Sequence, residues 1–95
     1  MIIVRDLVTS ADTTEQGLTL LTCLSRQLRC GGEVSISFEG LRTATPPFVN
    51  ASFVELLRDY PLEEIKRRIR VVKRARQINE IIKERLYREA ELRAA

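Results

Sequence analysis

Three short apolar runs rich in β-branched residues alternate along the chain with three segments in which apolar residues recur every three or four positions. This alternation predicts strands at residues 1–8, 33–38 and 69–72, and helices at residues 15–28, 46–58 and from 74 almost to the end. Residues 62–67 fit either a helical turn or a linker. Strands separated by helices imply crossover connections and at least partly parallel pairing. We therefore expect an α/β fold, a mixed or parallel sheet of three to four strands with helices packed on it, in a single domain spanning residues 1–95.

Capping and stop signals mark the ends of the first two predicted helices. Thr13 and Gln16 have the spacing of a capping box, in which each side chain satisfies a backbone amide of the first turn. The Gly31-Gly32 pair ends that helix, since glycine readily takes the left-handed conformation. Thr45 is the natural N-cap of the next helix because Pro46 and Pro47 follow it, and proline in the first turn sacrifices no hydrogen bond.

The residue types on which catalysis and metal binding depend are scarce. The chain has no His, and Cys23 and Cys30 lie seven positions apart, which is not the spacing of a zinc site. We expect both thiols to be buried, reduced and structural. The carboxylates are scattered, and there is no glycine-rich phosphate loop. The sequence therefore predicts a protein that is not an enzyme and that needs neither a metal nor a cofactor.

No apolar run approaches the roughly 18–20 residues that a membrane helix needs. The apolar start of the chain is interrupted by Arg5 and Asp6 before the core of a signal peptide could form. We therefore expect no membrane association and a cytoplasmic location.

Residues 34–53 are the most distinctive part of the sequence. Ile36-Ser37-Phe38-Glu39-Gly40-Leu41 resembles the strand ending of STAS-like domains, with Ser37 where an Asp is usual, and the run Ala44-Thr45-Pro46-Pro47-Phe48 resembles the loop and helix start that follow it. STAS-like domains are a bacterial family of unknown function related to the anti-sigma-factor antagonists and to the STAS domains of sulphate transporters. The resemblance extends over most of the chain after Leu18, in the same order of strands and helices.

The resemblance implies a non-catalytic regulatory module that binds another protein, such as an ATPase or kinase-like regulator, through the loop and helix start after the second strand. We expect Phe48 and Phe53 to be core residues and Val49 and Asn50 to be exposed. The candidate partner-binding residues are Thr43, Thr45, Pro46, Pro47, Val49 and Asn50. In the antagonists this helix start carries a serine that is phosphorylated, but alignment on Gly40 places Pro46 there, so Thr45 is the candidate phosphosite.

A basic segment supplies the alternative function. Residues 61–95 carry eleven Lys and Arg against six carboxylates, whereas residues 1–60 carry five against seven. Seven of these cations fall within residues 66–76: Lys66, Arg67, Arg68, Arg70, Lys73, Arg74 and Arg76. Such a patch could contact the phosphates of a nucleic acid, although no base-reading motif accompanies it. A homodimer is a further alternative, formed through an edge strand or the terminal helix.

Overall fold

Three parallel strands form the sheet, and helices connect them. The computed structural model describes residues 1–94. Its elements in chain order are β1 (Ile2–Ile3), α1 (Val4–Leu7), α2 (Thr14–Arg29), β2 (Val34–Ser37), α3 (Pro46–Ser52), a 3₁₀-helix (Val54–Arg58), α4 (Leu62–Arg68), β3 (Ile69–Val72) and α5 (Arg76–Ala94). The α/β class and the parallel sheet are confirmed, and the ambiguous residues 62–67 prove to be helical.

β2 is the central strand, with β1 on one side and β3 on the other. Ile36 pairs with Ile2 of β1 and with Val71 of β3, so these three side chains lie on one face of the sheet. Two right-handed crossovers that advance in the same direction place their helices on the same face. α2 and α3 accordingly pack against each other, and the core lies between them and this face.

The first strand is much shorter than the sequence predicts. Only Ile2–Ile3 pair with β2, and Val4–Leu7 form one helical turn that ends with a hydrogen bond from the Val8 amide to the Val4 carbonyl. Val4 and Val8 are both buried, and a continued strand would turn Asp6 to the same face as these two residues, whereas the helical turn leaves Asp6 exposed. Burial therefore overrides the strand preference of the β-branched residues.

The second predicted helix is interrupted after Ser52. Its hydroxyl donates to the Phe48 carbonyl at 2.7 Å, and back-bonding of this kind is known to bend helices. The 3₁₀-helix that follows turns Phe53, Val54 and Leu56 into the core, and the Phe53 ring stacks against Phe38 with centroids 6.4 Å apart. The predicted burial of Phe48 and Phe53 is confirmed.

The prediction of two buried thiols is wrong for Cys30. Cys30 follows the last residue of α2 as its C-cap, and it is exposed because the chain has left the core there. Cys23 is half-buried, and neither cysteine forms a disulfide.

Gly17 permits the close approach of α2 and α3. A Cβ atom placed on this buried residue would lie 2.5 Å from the Phe48 carbonyl oxygen and 2.8 Å from the Ala51 Cβ. Both neighbours belong to the helix α3 and cannot swing aside as a flexible side chain could. The spacing between the two helices therefore depends on a residue without a side chain.

Gly17→Ala is expected to destabilise the protein by about 1–3 kcal/mol, because the added methyl group must push α3 away from α2. In an unobstructed helix the same change would stabilise by roughly 1 kcal/mol, so the sign of the effect is diagnostic. The measurement is urea unfolding followed by circular dichroism, with the exposed Thr19→Ala as the control on the same helix. A Gly17→Ala protein as stable as the wild type would contradict the close packing.

Candidate protein-binding surface

The chain segment that leaves β2 is held rigidly from two sides. Gly40 has φ +86°, a conformation that favours glycine, and turns the chain out of the strand. The Thr45 amide donates to the Ala11 carbonyl at 3.0 Å. On the other side, the Gln77 side chain of α5 bonds both backbone groups of Ala44, accepting from its amide at 2.8 Å and donating to its carbonyl at 3.0 Å. We call residues 41–47 the docking loop.

Thr45 is the N-cap of α3, as predicted. Its Oγ1 accepts from the Phe48 amide at 3.4 Å and donates to the backbone carbonyl of Asp12 at 2.5 Å. The hydroxyl thus ties the start of α3 to the chain that precedes α2. Phosphorylation at this position would remove the proton that Asp12 accepts, so a kinase would have to open the junction first. Thr45 as a phosphosite stays a prediction.

Four side chains of the docking loop, those of Arg42, Thr43, Pro46 and Pro47, are exposed while its backbone is fixed, and Ala44 is buried. Thr45 is half-buried. Pro47 lines a shallow groove of about 420 Å³ between α2 and α3, together with Leu18 and Asn50. The groove and the docking loop form one continuous surface, which we call the α2–α3 surface.

Val49 corrects the predicted set of exposed residues. Its side chain is 0% exposed, because α3 is packed against α2 and also against α5, so that its second turn has little free surface. Val49 is therefore a core residue and does not belong to the candidate binding surface.

Asn50 is half-buried, and its Oδ1 accepts a hydrogen bond from Arg85 Nε at 2.9 Å. Arg85 also lies 3.6 Å from Glu89 on its own helix. Asn50 consequently links α3 to α5 as well as lining the groove, which gives its side chain a structural role that the sequence did not indicate.

Leu18 is a surface residue that the sequence analysis missed. Its spacing with Leu21, Leu24 and Leu28 is typical of one buried stripe along α2, yet Leu18 is 47% exposed beside Pro47. Apolar residues occupy more of the circumference of α2 than one core can bury. The sequence therefore indicates that some of them are exposed, although it does not say which. Leu18 adds apolar area to the α2–α3 surface.

The basic segment does not form one uninterrupted patch. Arg68 turns inward, pairing with Glu64 at 3.0 Å and donating to the carbonyls of Leu28 and Gly32. A cation is favourable at this point because the Leu28 carbonyl belongs to the last turn of α2. Arg67 lies 3.9 Å from Glu64 as well.

The other cations of the segment lie in three places. Arg76 pairs with Glu80 at 3.1 Å on the surface of α5, and Lys73 occupies the turn after β3 with φ +52°. Lys66, Arg70 and Arg74 line a groove beside β3. Among residues 1–94, the cations of the segment without a carboxylate in ion-pair distance therefore lie beside β3 or in the turn that follows it.

The described residues around these surfaces form no cluster of metal-binding side chains. Within residues 1–94, no three His, Cys, Asp or Glu side chains come together as metal ligands would. None of the helices in the same range is long and apolar enough to cross a membrane.

Gln77→Leu is expected to loosen the docking loop, because it deletes two hydrogen bonds to Ala44 worth roughly 1 kcal/mol each. Amide exchange of Ala44 should then accelerate by roughly tenfold or more in native-state hydrogen exchange. Arg76→Leu, at the neighbouring position of the same helix, is the matched control and should leave Ala44 unchanged. Equal exchange rates in both variants would show that Gln77 does not hold the loop.

The central part of the fold matches a known family. The family model described as a STAS-like domain of unknown function (DUF4325) covers residues 17–79, from the crossing of α2 with α3 to the first turn of α5. No curated protein and no solved structure matches the chain. The match takes in β2, the docking loop, α3 and β3, which were the elements on which the resemblance in the sequence rested, and it spans about two thirds of the chain. The chain belongs to the STAS-like domain family.

Proposed function

We propose that this chain is a non-catalytic regulatory module that binds another protein through the α2–α3 surface. The observation that carries the proposal is the contrast within the docking loop, whose backbone is bonded to Ala11 and Gln77 while Thr43, Pro46 and Pro47 remain exposed. The anchors therefore hold these exposed side chains in fixed positions.

The fixed loop lowers the cost of binding. Association loses affinity when flexible loops and side chains must be ordered at the interface. Here the backbone is ordered beforehand, and proline side chains have almost no rotamer freedom to lose. Pro46 and Pro47 present rigid apolar area, to which Leu18 adds across the groove. These properties favour a protein partner over a small solute, because the groove is shallow and open.

The class of partner follows from family resemblance. The related antagonists bind ATPase or kinase-like proteins with the loop and helix start after the corresponding strand. The same elements form the α2–α3 surface in this chain, so an ATPase or kinase-like regulator is the partner that we propose. The phosphorylated serine of those antagonists has no counterpart, since Pro46 stands at its position. Recognition would then rest on shape and apolar contact.

Nucleic-acid binding by residues 66–76 is the less favoured alternative. Arg67, Arg68 and Arg76 are already close to carboxylates of the chain, which reduces the charge available to phosphates. The α2–α3 surface carries no comparable cluster of cations.

Photo-crosslinking in the native host tests the proposal. A benzophenone amino acid at position 47 should yield one discrete adduct, which mass spectrometry should identify as a protein with an ATPase or kinase-like domain. The same group at the exposed Glu63, on α4, is the matched control and should not yield that adduct.

A second variant links the adduct to the surface. Leu18→Glu places a charge on the apolar part of the α2–α3 surface and should abolish the crosslink from position 47, while circular dichroism confirms that the protein is folded. An adduct that survives Leu18→Glu, or that forms equally well from position 63, would refute the α2–α3 surface as the binding site.

A further inference from the structure

The outer side of β3 is an open sheet edge. β3 is the last strand in the order β1-β2-β3, so in residues 1–94 no strand pairs with its outer side. The Val72 carbonyl accepts from the Phe38 amide at 3.1 Å and therefore points toward β2. Backbone groups of successive residues in a strand point to opposite sides, so those of Val71 point outward. Arg74 donates from Nη1 to the Val71 carbonyl at 2.6 Å, which satisfies the outward acceptor with a side chain.

A groove of about 560 Å³ runs beside this edge and separates it from α5. Its apolar lining comes from β3 and the three helical segments around it. Ile69, Val71 and Val72 of β3 line it with half-buried side chains, and the buried residues Phe53, Ile65, Ile82 and Leu86 form its floor. An extended strand placed along β3 would direct every second side chain toward this lining and the others away from it.

The charges around the groove all have one sign. Lys66, Arg70, Arg74 and Lys83 line it, and no carboxylate is among its lining residues. In the part of the chain that the structure describes, none of these four cations lies within ion-pair distance of a carboxylate. Lys66 instead lies over the Tyr87 ring, 5.2 Å from its centroid. The positive electrostatic potential of these four cations favours an acidic occupant of the groove.

We propose that this groove binds an extended acidic segment of a partner protein, which pairs with β3 as a fourth strand. Its backbone would pair with Val71, replacing the Arg74 side chain at the Val71 carbonyl, since the Ile69 amide already donates to the Ile65 carbonyl. Alternate apolar side chains would contact the half-buried Ile69 and Val71 and the 40% exposed Tyr87, and the intervening carboxylates would lie near the four cations. Strand addition of this kind takes affinity from main-chain hydrogen bonds and specificity from alternate side chains.

Two other occupants fit the same edge less well. A second copy of the chain paired through β3 would bring Arg70, Lys73 and Arg74 of both copies together, and like charges across a strand pair are destabilising. A nucleic acid would match the cations, but its backbone has no amide groups for β3 and its phosphates gain nothing from the apolar lining. The groove is separate from the α2–α3 surface, since none of residues 41–47 lines it.

Labelled octapeptides that alternate Glu with Val, Ile or Phe provide the probe. We expect at least one of them to bind with a dissociation constant below about 1 mM and to shift the amide resonances of Ile69–Val72. Two peptide controls separate the contributions: replacing Glu with Lys removes the charge match, and N-methylation of alternate amides removes the backbone donors. Both changes should abolish binding.

Charge reversal on the protein completes the test. Arg70→Glu with Lys83→Glu should weaken the peptide by roughly tenfold or more. Arg26→Glu with Arg88→Glu changes the net charge equally at exposed sites outside the groove, and should have little effect. The proposal is overturned if no acidic peptide binds, if the Lys or N-methylated peptides bind as well as the parent, or if both double variants weaken binding equally. A dimer that is detected by sedimentation and in which β3 is buried would overturn it too. Preferential binding of single-stranded or duplex DNA at this groove would do the same.

Discussion

The contact between α2 and α3 at Gly17 determines where the candidate binding surface lies. The Phe48 carbonyl and Ala51 approach the α2 backbone more closely than any side chain at position 17 would permit. With α3 held there, Phe48 and Val49 are buried, and the first turn of α3 emerges at the surface beside α2. The docking loop then connects the end of β2 with this fixed helix start. Ala11 and Gln77 provide its remaining anchors.

Local signals in the sequence predicted the elements that local interactions stabilise. The Thr13–Gln16 capping box forms as expected, with the Gln16 Oε1 accepting from the Thr13 amide at 3.0 Å. Thr45 caps α3, and β3 has the predicted bounds of Ile69–Val72. In each case the residues that decide the structure are neighbours in the chain.

Predictions failed where distant contacts decide the outcome. Residues 1–8 have the composition of a strand, but a continued strand would turn Asp6 toward the core with Val4 and Val8, and the helical turn avoids that. The exposure of Val49 and Leu18 was misjudged because it depends on which faces of α2 and α3 meet each other and α5. Likewise, the bonds of Gln77 to Ala44 and of Arg85 to Asn50 join residues more than thirty positions apart, and no spacing rule indicates them.

The two surfaces differ in physical character. The α2–α3 surface has a fixed backbone and exposes the apolar Leu18, Pro46 and Pro47 beside polar neighbours, whereas the β3 groove combines an open strand edge with four cations. The basic segment, which suggested phosphate binding when read as a linear run, is divided by the fold into residues that stabilise the domain and residues that flank the groove.

The central claim is that the α2–α3 surface contacts a partner, and hydroxyl-radical footprinting of the chain alone and in its isolated complex tests it most directly. Leu18 and Pro47 are accessible in the free chain, as is Leu92, which is 64% exposed on α5. The account predicts that complex formation protects Leu18 and Pro47 from oxidation and leaves Leu92 as reactive as before. Unchanged oxidation of Leu18 and Pro47 in the complex would contradict it.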